Sequence, residues 1–258
     1  MIAARRAPWP RRCLGGGLIA VVLLLSGCVY LRLLEFKRQL EAFDRYFTIE
    51  AKDGLHLGCV KPILLSEDFR WLGFTPATTQ RRGQSEQWHV RWVKQLPPGV
   101  VDPVVRDLEI DLIFTEDKLT RLLIPERYFA LVPKTSLVGL LRGFGTAKVD
   151  KENRRAIASY APTGDNATEG RVLATGMVAL LGPPSRQWTN GPRTMMAYRY
   201  LPTPPGARNG MFDITFTFDT ASGQLVLLQG LSPVGQISFN FDPPPLVAGA
   251  PPAPTPKD

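Results

Sequence analysis

"FDITFTFDTASGQL", residues 212–225, is the stretch on which the reading of the fold turns. Phe212, Ile214, Phe216 and Phe218 alternate with Asp213, Thr215 and Thr217. Successive side chains of a strand point to opposite faces, so this period of two describes a half-buried antiparallel strand. Thr220, Ser222 and Gly223 supply a turn, and "LVLLQG" reads as the returning strand. "GQISFNF" adds a further strand, with Ile237, Phe239 and Phe241 on one face.

Much of this pattern occurs earlier in the chain. "LEIDLIFTEDKL", residues 108–119, puts Leu108, Ile110, Leu112 and Phe114 in the same alternation, followed by "LTRLLI". Upstream, "WHVRW" (88–92) corresponds to "MAYRY" (196–200). Leu72-Gly73 in "PILLSEDFRWLGFTP" corresponds to Leu181-Gly182 in "RVLATGMVALLGPPS". Each of these two segments predicts a short helix, with Ser66 or Thr175 as cap and the glycine as stop; Glu67 and Asp68 suit the first turn. Self-similarity of this kind argues for duplication. The expected fold class is α+β: two tandem units, each of short helices packed on a three- or four-stranded antiparallel sheet. Neither layer can bury its apolar face alone.

The flanks complete the division. In "LRLLEFKRQLEAFDRYF", Leu33, Phe36, Leu40, Phe43 and Phe47 recur at helical spacing on one face. Such a helix either lies on a membrane or packs on the first unit. Asp53-Gly54 signals a hairpin. A short helix is expected near Thr135-Ser136, and another in "TAKVDKENRRAIASY". The end, "DPPPLVAGAPPAPTPKD", has no core-forming pattern and reads as a disordered tail of polyproline character. The expected parts are therefore a leader (residues 1–27), a membrane-proximal amphipathic helix (28–47), a degenerate first unit (48–132), a second unit with linking helices (133–241) and the tail (242–258).

The leader has a basic start, an apolar run from Leu14 to Leu25, and then small residues, the layout of a signal peptide. The run of about a dozen residues is short for a membrane span of ~20. A signal anchor remains open, since the uncharged stretch extends from Cys13 to Leu31. Leu25-Ser26-Gly27-Cys28 resembles the lipobox of bacterial lipoproteins. That resemblance implies that Cys28 is lipidated and becomes the first mature residue. Val29 stands after it where Asp would favour inner-membrane retention. The implied location is thus the outer membrane facing the periplasm, with inner-membrane anchoring as the alternative.

The repeated pattern itself resembles a known lipoprotein domain. The capped helix ending in Leu-Gly, the aromatic strand, and the strand ending Phe-Thr-Phe-Asp are similar to the SmpA/OmlA (BamE-like) domain. The same kind of unit occurs in tandem in the β-lactamase inhibitor protein family. The resemblance implies a non-enzymatic envelope lipoprotein, an accessory or scaffold that binds envelope proteins in outer-membrane assembly or maintenance. The alternative is a tandem inhibitor or binding module directed at a soluble enzyme.

No catalytic constellation stands out among the residues. His56 and His89 lack a second ligand at metal-binding spacing, so no metal and no cofactor are expected. Asp107, Glu109 and Asp111 share a strand face and read as solvated acids. The formal charge of +8 includes Arg5, Arg6, Arg11 and Arg12 ahead of Cys28, and losing these four halves it. That gives no case for nucleic acid. Trp88, Trp92, Tyr198 and Tyr200 are the candidate partner-binding residues. Each pair shares a strand face, which is either core under the helices or an aromatic surface for a protein partner.

Overall fold

The computed structural model describes residues 28–51, 53–130, 134–150, 155–160, 172–205, 210–233 and 235–241. The leader and the tail lie outside these residues. The described residues open with α1 (Val29–Glu41) and the single turn α2 (Phe43–Tyr46), then the hairpin β1 (Phe47–Ala51) and β2 (Leu55–Cys59). Helix α3 (Ser66–Leu72) leads into β3 (Pro76–Arg82), β4 (Ser85–Gln95), β5 (Leu108–Thr115) and β6 (Lys118–Ile124). A 3-10 turn (Glu126–Ala130), helix α4 (Lys134–Gly145) and strands β7 (Lys148–Asp150) and β8 (Arg155–Tyr160) follow. Helix α5 (Ala174–Leu181) then leads into β9 (Arg186–Asn190), β10 (Arg193–Thr203), β11 (Phe212–Asp219) and β12 (Leu225–Ser232), with β13 (Gly235–Asn240) last.

The order helix–strand–strand–strand–strand therefore occurs twice, and its details recur. Strands β5 and β11 share one burial pattern, with Leu112 and Phe114 inward in one and Phe216 and Phe218 in the other. Ahead of each helix, one residue bridges to the chain where the closing strand begins: Leu65 to Lys118, the first residue of β6, and Leu173 to Gln224, just ahead of β12. Gly73 and Gly182 both end their helices at positive φ, 97° and 72°. A side chain rarely adopts that conformation, which is why glycine stands there.

The halves are not separate units. All thirteen strands among the described residues belong to one sheet, in the order β1-β2-β6-β5-β4-β10-β11-β12-β13-β8-β7, with β3 on β4 and β9 on β10. Every pairing is antiparallel except β13 with β8. The expectation of two small α+β units is thus overturned: the molecule is mostly sheet, and its few helices are not arranged over two small sheets. The cause is the length of β4 and β10. β4 pairs with β3 up to Val90, and beyond that point it pairs with β10 from Arg91 to Gln95. β10 does the reverse, pairing β9 up to Ala197 and β4 from Arg199 onwards. The junction is centred on Val93 opposite Leu201, with Arg91 opposite Thr203 and Gln95 opposite Arg199. Arg91 and Arg199 are equivalent in the two halves, so each half presents the same strand segment to the other, as in a two-fold dimer.

One apolar cluster runs beneath both halves. It joins Phe69, Trp88, Trp92 and Phe114 to Met177, Tyr198, Tyr200 and Phe218. A smaller cluster under α1, α2 and β1 contains Leu40, Phe43, Phe47 and Leu57. Other local expectations also need correction. Ser66 is not a cap: it is buried as the first helical residue, and its hydroxyl donates to the Asp117 carboxylate. Asp68 serves the helix start instead, accepting from the Leu65 N–H at 2.8 Å. Thr175 lies inside the first turn of α5, behind Leu173. The helix expected within residues 146–160 is absent; β7 and β8 occupy the described part, because β8 completes the sheet beside β13.

Candidate functional site

Cys28 is exposed and sits immediately ahead of α1, its carbonyl accepting from the Leu31 and Arg32 N–H groups at 3.0 and 3.2 Å. Helix α1 is fastened to the body within its first turn. Arg32 donates from Nε to Asp68 Oδ2 at 2.8 Å and from Nη2 to Asp68 Oδ1 at 2.7 Å, a two-pronged grip on a fully buried carboxylate. Nη2 also reaches Glu67 at 2.6 Å. The Asp68 carboxylate holds the Arg32 guanidinium above its ordinary pKa. Farther along, Gln39 is buried and donates to the Lys61 carbonyl, and Leu40 and Phe43 fill the smaller cluster. Among the described residues, no helix is long and apolar enough to cross a membrane.

The four candidate aromatic residues are all interior. Trp88, Tyr198 and Tyr200 are 0% exposed and Trp92 is 1% exposed. They therefore present no ring to a partner, and the aromatic surface is corrected to core. The alternation that placed them on one strand face is real, and that face is the one covered by the helices. Trp92 donates from Nε1 to the Gly210 carbonyl at 2.6 Å and packs edge-on against Phe212, which ties β4 to the second half. Tyr198 donates to the Gly182 carbonyl at 3.1 Å. Burial raises the hydroxyl pKa of Tyr198 and Tyr200.

The opposite face of the sheet is polar. His89 Nδ1 lies 2.9 Å from Asp111 and its Nε2 lies 4.0 Å from Glu109. Arg127 holds Glu109 at 2.8 Å, and Arg199 holds Asp213 at 2.6 Å. Nδ1 of His89 is thus within hydrogen-bond reach of Asp111, whereas Nε2 is beyond that reach from Glu109. Asp107 departs from the expected solvated acid. It is buried, accepting from Arg91 Nε at 2.7 Å and from the Lys94 N–H at 2.9 Å. His56 lines a recess of about 220 Å³ with Thr48, Glu50, Thr120 and Arg121. Among the described residues, no group of three or more His, Cys, Asp or Glu could hold a metal ion.

One cluster was not legible in the sequence. Lys94 is buried at the end of β4, where its ammonium donates to the Leu181 carbonyl at the C-terminus of α5. A cation is favoured there by the helix dipole. Asp102 lies 3.6 Å from it and is bonded by Arg106. The Arg106 hydrogen bond holds the Asp102 carboxyl below its usual range, and burial lowers the Lys94 pKa despite Asp102. The cluster closes loop 96–107, whose tip carries Val100, Val101, Val104 and Val105 in the open. No family model, curated protein or solved structure matches the chain.

Proposed function

We propose that this protein is a non-enzymatic lipoprotein of the cell envelope that acts by binding envelope proteins. The observation that carries the proposal is Cys28, an exposed thiol ending a lipobox-like Leu-Ser-Gly-Cys and leading directly into a helix locked to the body. Two acyl chains suffice for stable anchoring, since each buried methylene contributes roughly 0.8 kcal/mol. With no free residues between Cys28 and α1, the lipid would hold the sheet close to the membrane surface. Val29 favours the outer membrane, and the motif resemblance suggests a part in outer-membrane assembly or maintenance. The polar face of paired charges agrees with a binding surface.

Cys28→Ala tests the anchor. The variant should accumulate as an unprocessed precursor that takes up no labelled fatty acid. Normal processing with unchanged acyl labelling would remove the basis of the proposal.

A further inference from the structure

Two of the large apolar side chains left exposed among the described residues lie beside Cys28: Tyr30 is 37% exposed and Leu31 40%. No slack separates them from the cysteine. The Cys28 carbonyl already accepts from the Leu31 and Arg32 N–H groups, so α1 starts at Cys28 itself. Arg32, one turn on, is bound to Glu67 and Asp68 at the start of α3. The start of α3 is bound in turn to the β5–β6 turn, where the Ser66 N–H donates to the Asp117 carbonyl at 3.1 Å. The neighbouring Glu116 N–H donates to the Gln84 carbonyl in the β3–β4 turn at 3.0 Å. Cys28 is therefore fixed to one end of the sheet, the end that carries these two turns.

We propose that the first turn of α1 is seated in the headgroup layer of the membrane that holds the Cys28 lipid, with Tyr30 and Leu31 in the lipid interface and the β3–β4 and β5–β6 turns toward it. The inference rests on the reading that Cys28 is acylated, and adds to it which surface meets the bilayer. Covalent continuity supplies the occupant. Acyl chains on the Cys28 sulfur lie in the hydrocarbon, so the sulfur lies at its boundary. A bilayer about 40–45 Å thick with a hydrocarbon core of about 30 Å leaves a headgroup layer of about 5–8 Å on each side. Four residues of helix rise only about 6 Å, so Tyr30 and Leu31 stay within that layer. Their chemistry suits it: leucine is apolar, and tyrosine joins an apolar ring to a hydroxyl that can stay wet. Loop 96–107 leaves β4 at the opposite end, about 30 Å of strand away, and stands in water.

The test uses the full chain matured in its native envelope, purified with its lipid and returned to vesicles of phosphatidylethanolamine and phosphatidylglycerol. In a Cys59→Ala background, a nitroxide is placed on Tyr30→Cys, on Leu31→Cys or on Val101→Cys, and intact mass reports the acyl groups on Cys28. In acylated chains, the nitroxides at 30 and 31 should show a severalfold higher ratio of collisions with oxygen to collisions with a water-soluble nickel chelate than the nitroxide at 101. Positions 30 and 31 report the same layer, so either variant alone decides. An equal ratio at all positions, or a higher one at 101, in chains whose Cys28 is acylated would overturn the inference and leave the anchor standing. Chains without an acyl group on Cys28 would overturn the anchor and the inference with it.

Discussion

Lys94 carries its charge into the place where the two halves meet. Its Nζ serves the Leu181 carbonyl at the end of α5, and its backbone N–H serves Asp107. Lys94→Ala would leave the Leu181 carbonyl without its donor, while Asp102 keeps Arg106. A buried acceptor left unsatisfied costs about 1–3 kcal/mol, which should appear as a lower denaturant midpoint. The sign of the pH effect follows from Asp102, whose folded pKa is depressed by Arg106. Its contribution is complete above the ordinary aspartate pKa of ~3.9 and is lost as pH falls through the lower folded value. Acid titration of stability should therefore steepen below about pH 4, and Asp102→Asn should flatten part of that slope. Cys59 gives a second check at this scale. Burial pushes its thiol up to about 12. In a Cys28→Ser chain at pH 8, alkylation of Cys59 should track unfolding rather than reagent concentration. The roles of Lys94 and Asp102 were not legible beforehand, because a lone Lys or Asp carries no pattern until distant elements surround it. Cys28 was legible because its signal lies in the four adjacent residues.

Among the elements, α1 shows what local pattern can and cannot deliver. The apolar spacing of Leu33, Phe36, Leu40 and Phe43 announced a helix and its inward face. The fastening of that helix to α3 by Arg32 depends on a carboxylate in another element and had no local signal. Arg32→Ala leaves Asp68 buried and short of its cation. A loss of about 3 kcal/mol is expected, with faster amide exchange throughout α1. Unchanged exchange in α1 would show that the apolar face alone holds it. Ser66 and Thr175 were misread for a related reason. Both have good cap chemistry, but Ser66 is drawn to Asp117 across the β5–β6 turn, and the chain enters both helices one residue or more earlier than the caps suggest. Strands β7 and β8 were mistaken for helix because the pairing of β8 with β13, remote in sequence, and of β7 with β8 decides their conformation.

For the whole molecule, the sequence displayed the repetition and concealed the join. Alternation identifies strands and their inward faces, and it placed Trp88, Trp92, Tyr198 and Tyr200 on common faces without saying whether those faces were covered. It says nothing about which strands lie side by side. The clue that remained in the sequence was length: β4 and β10 have 11 residues each, while the neighbours β3 and β9 have 7 and 5. The surplus of each long strand pairs with the other, and Trp92 crosses the join to Gly210 and Phe212. Trp92→Ala should cost about 3–5 kcal/mol and should loosen both halves together, visible as a parallel loss of exchange protection in β5 and β11. Loosening confined to the first half would mean that the halves are stabilised separately.

The join itself can be measured. Residues opposite each other in an antiparallel pair have Cα atoms about 4.5–5.5 Å apart, within the range a disulfide spans. Val93 and Leu201 are such partners at the centre of the junction. A Val93→Cys, Leu201→Cys chain, oxidised mildly while folded and mapped by mass spectrometry, should form the 93–201 bond quantitatively without losing thermal stability. Val93→Cys with Ala197→Cys, four residues out of register, should stay reduced. Failure of the 93–201 bond to form, or equal cross-linking in the two pairings, would contradict a continuous sheet running through β4 and β10.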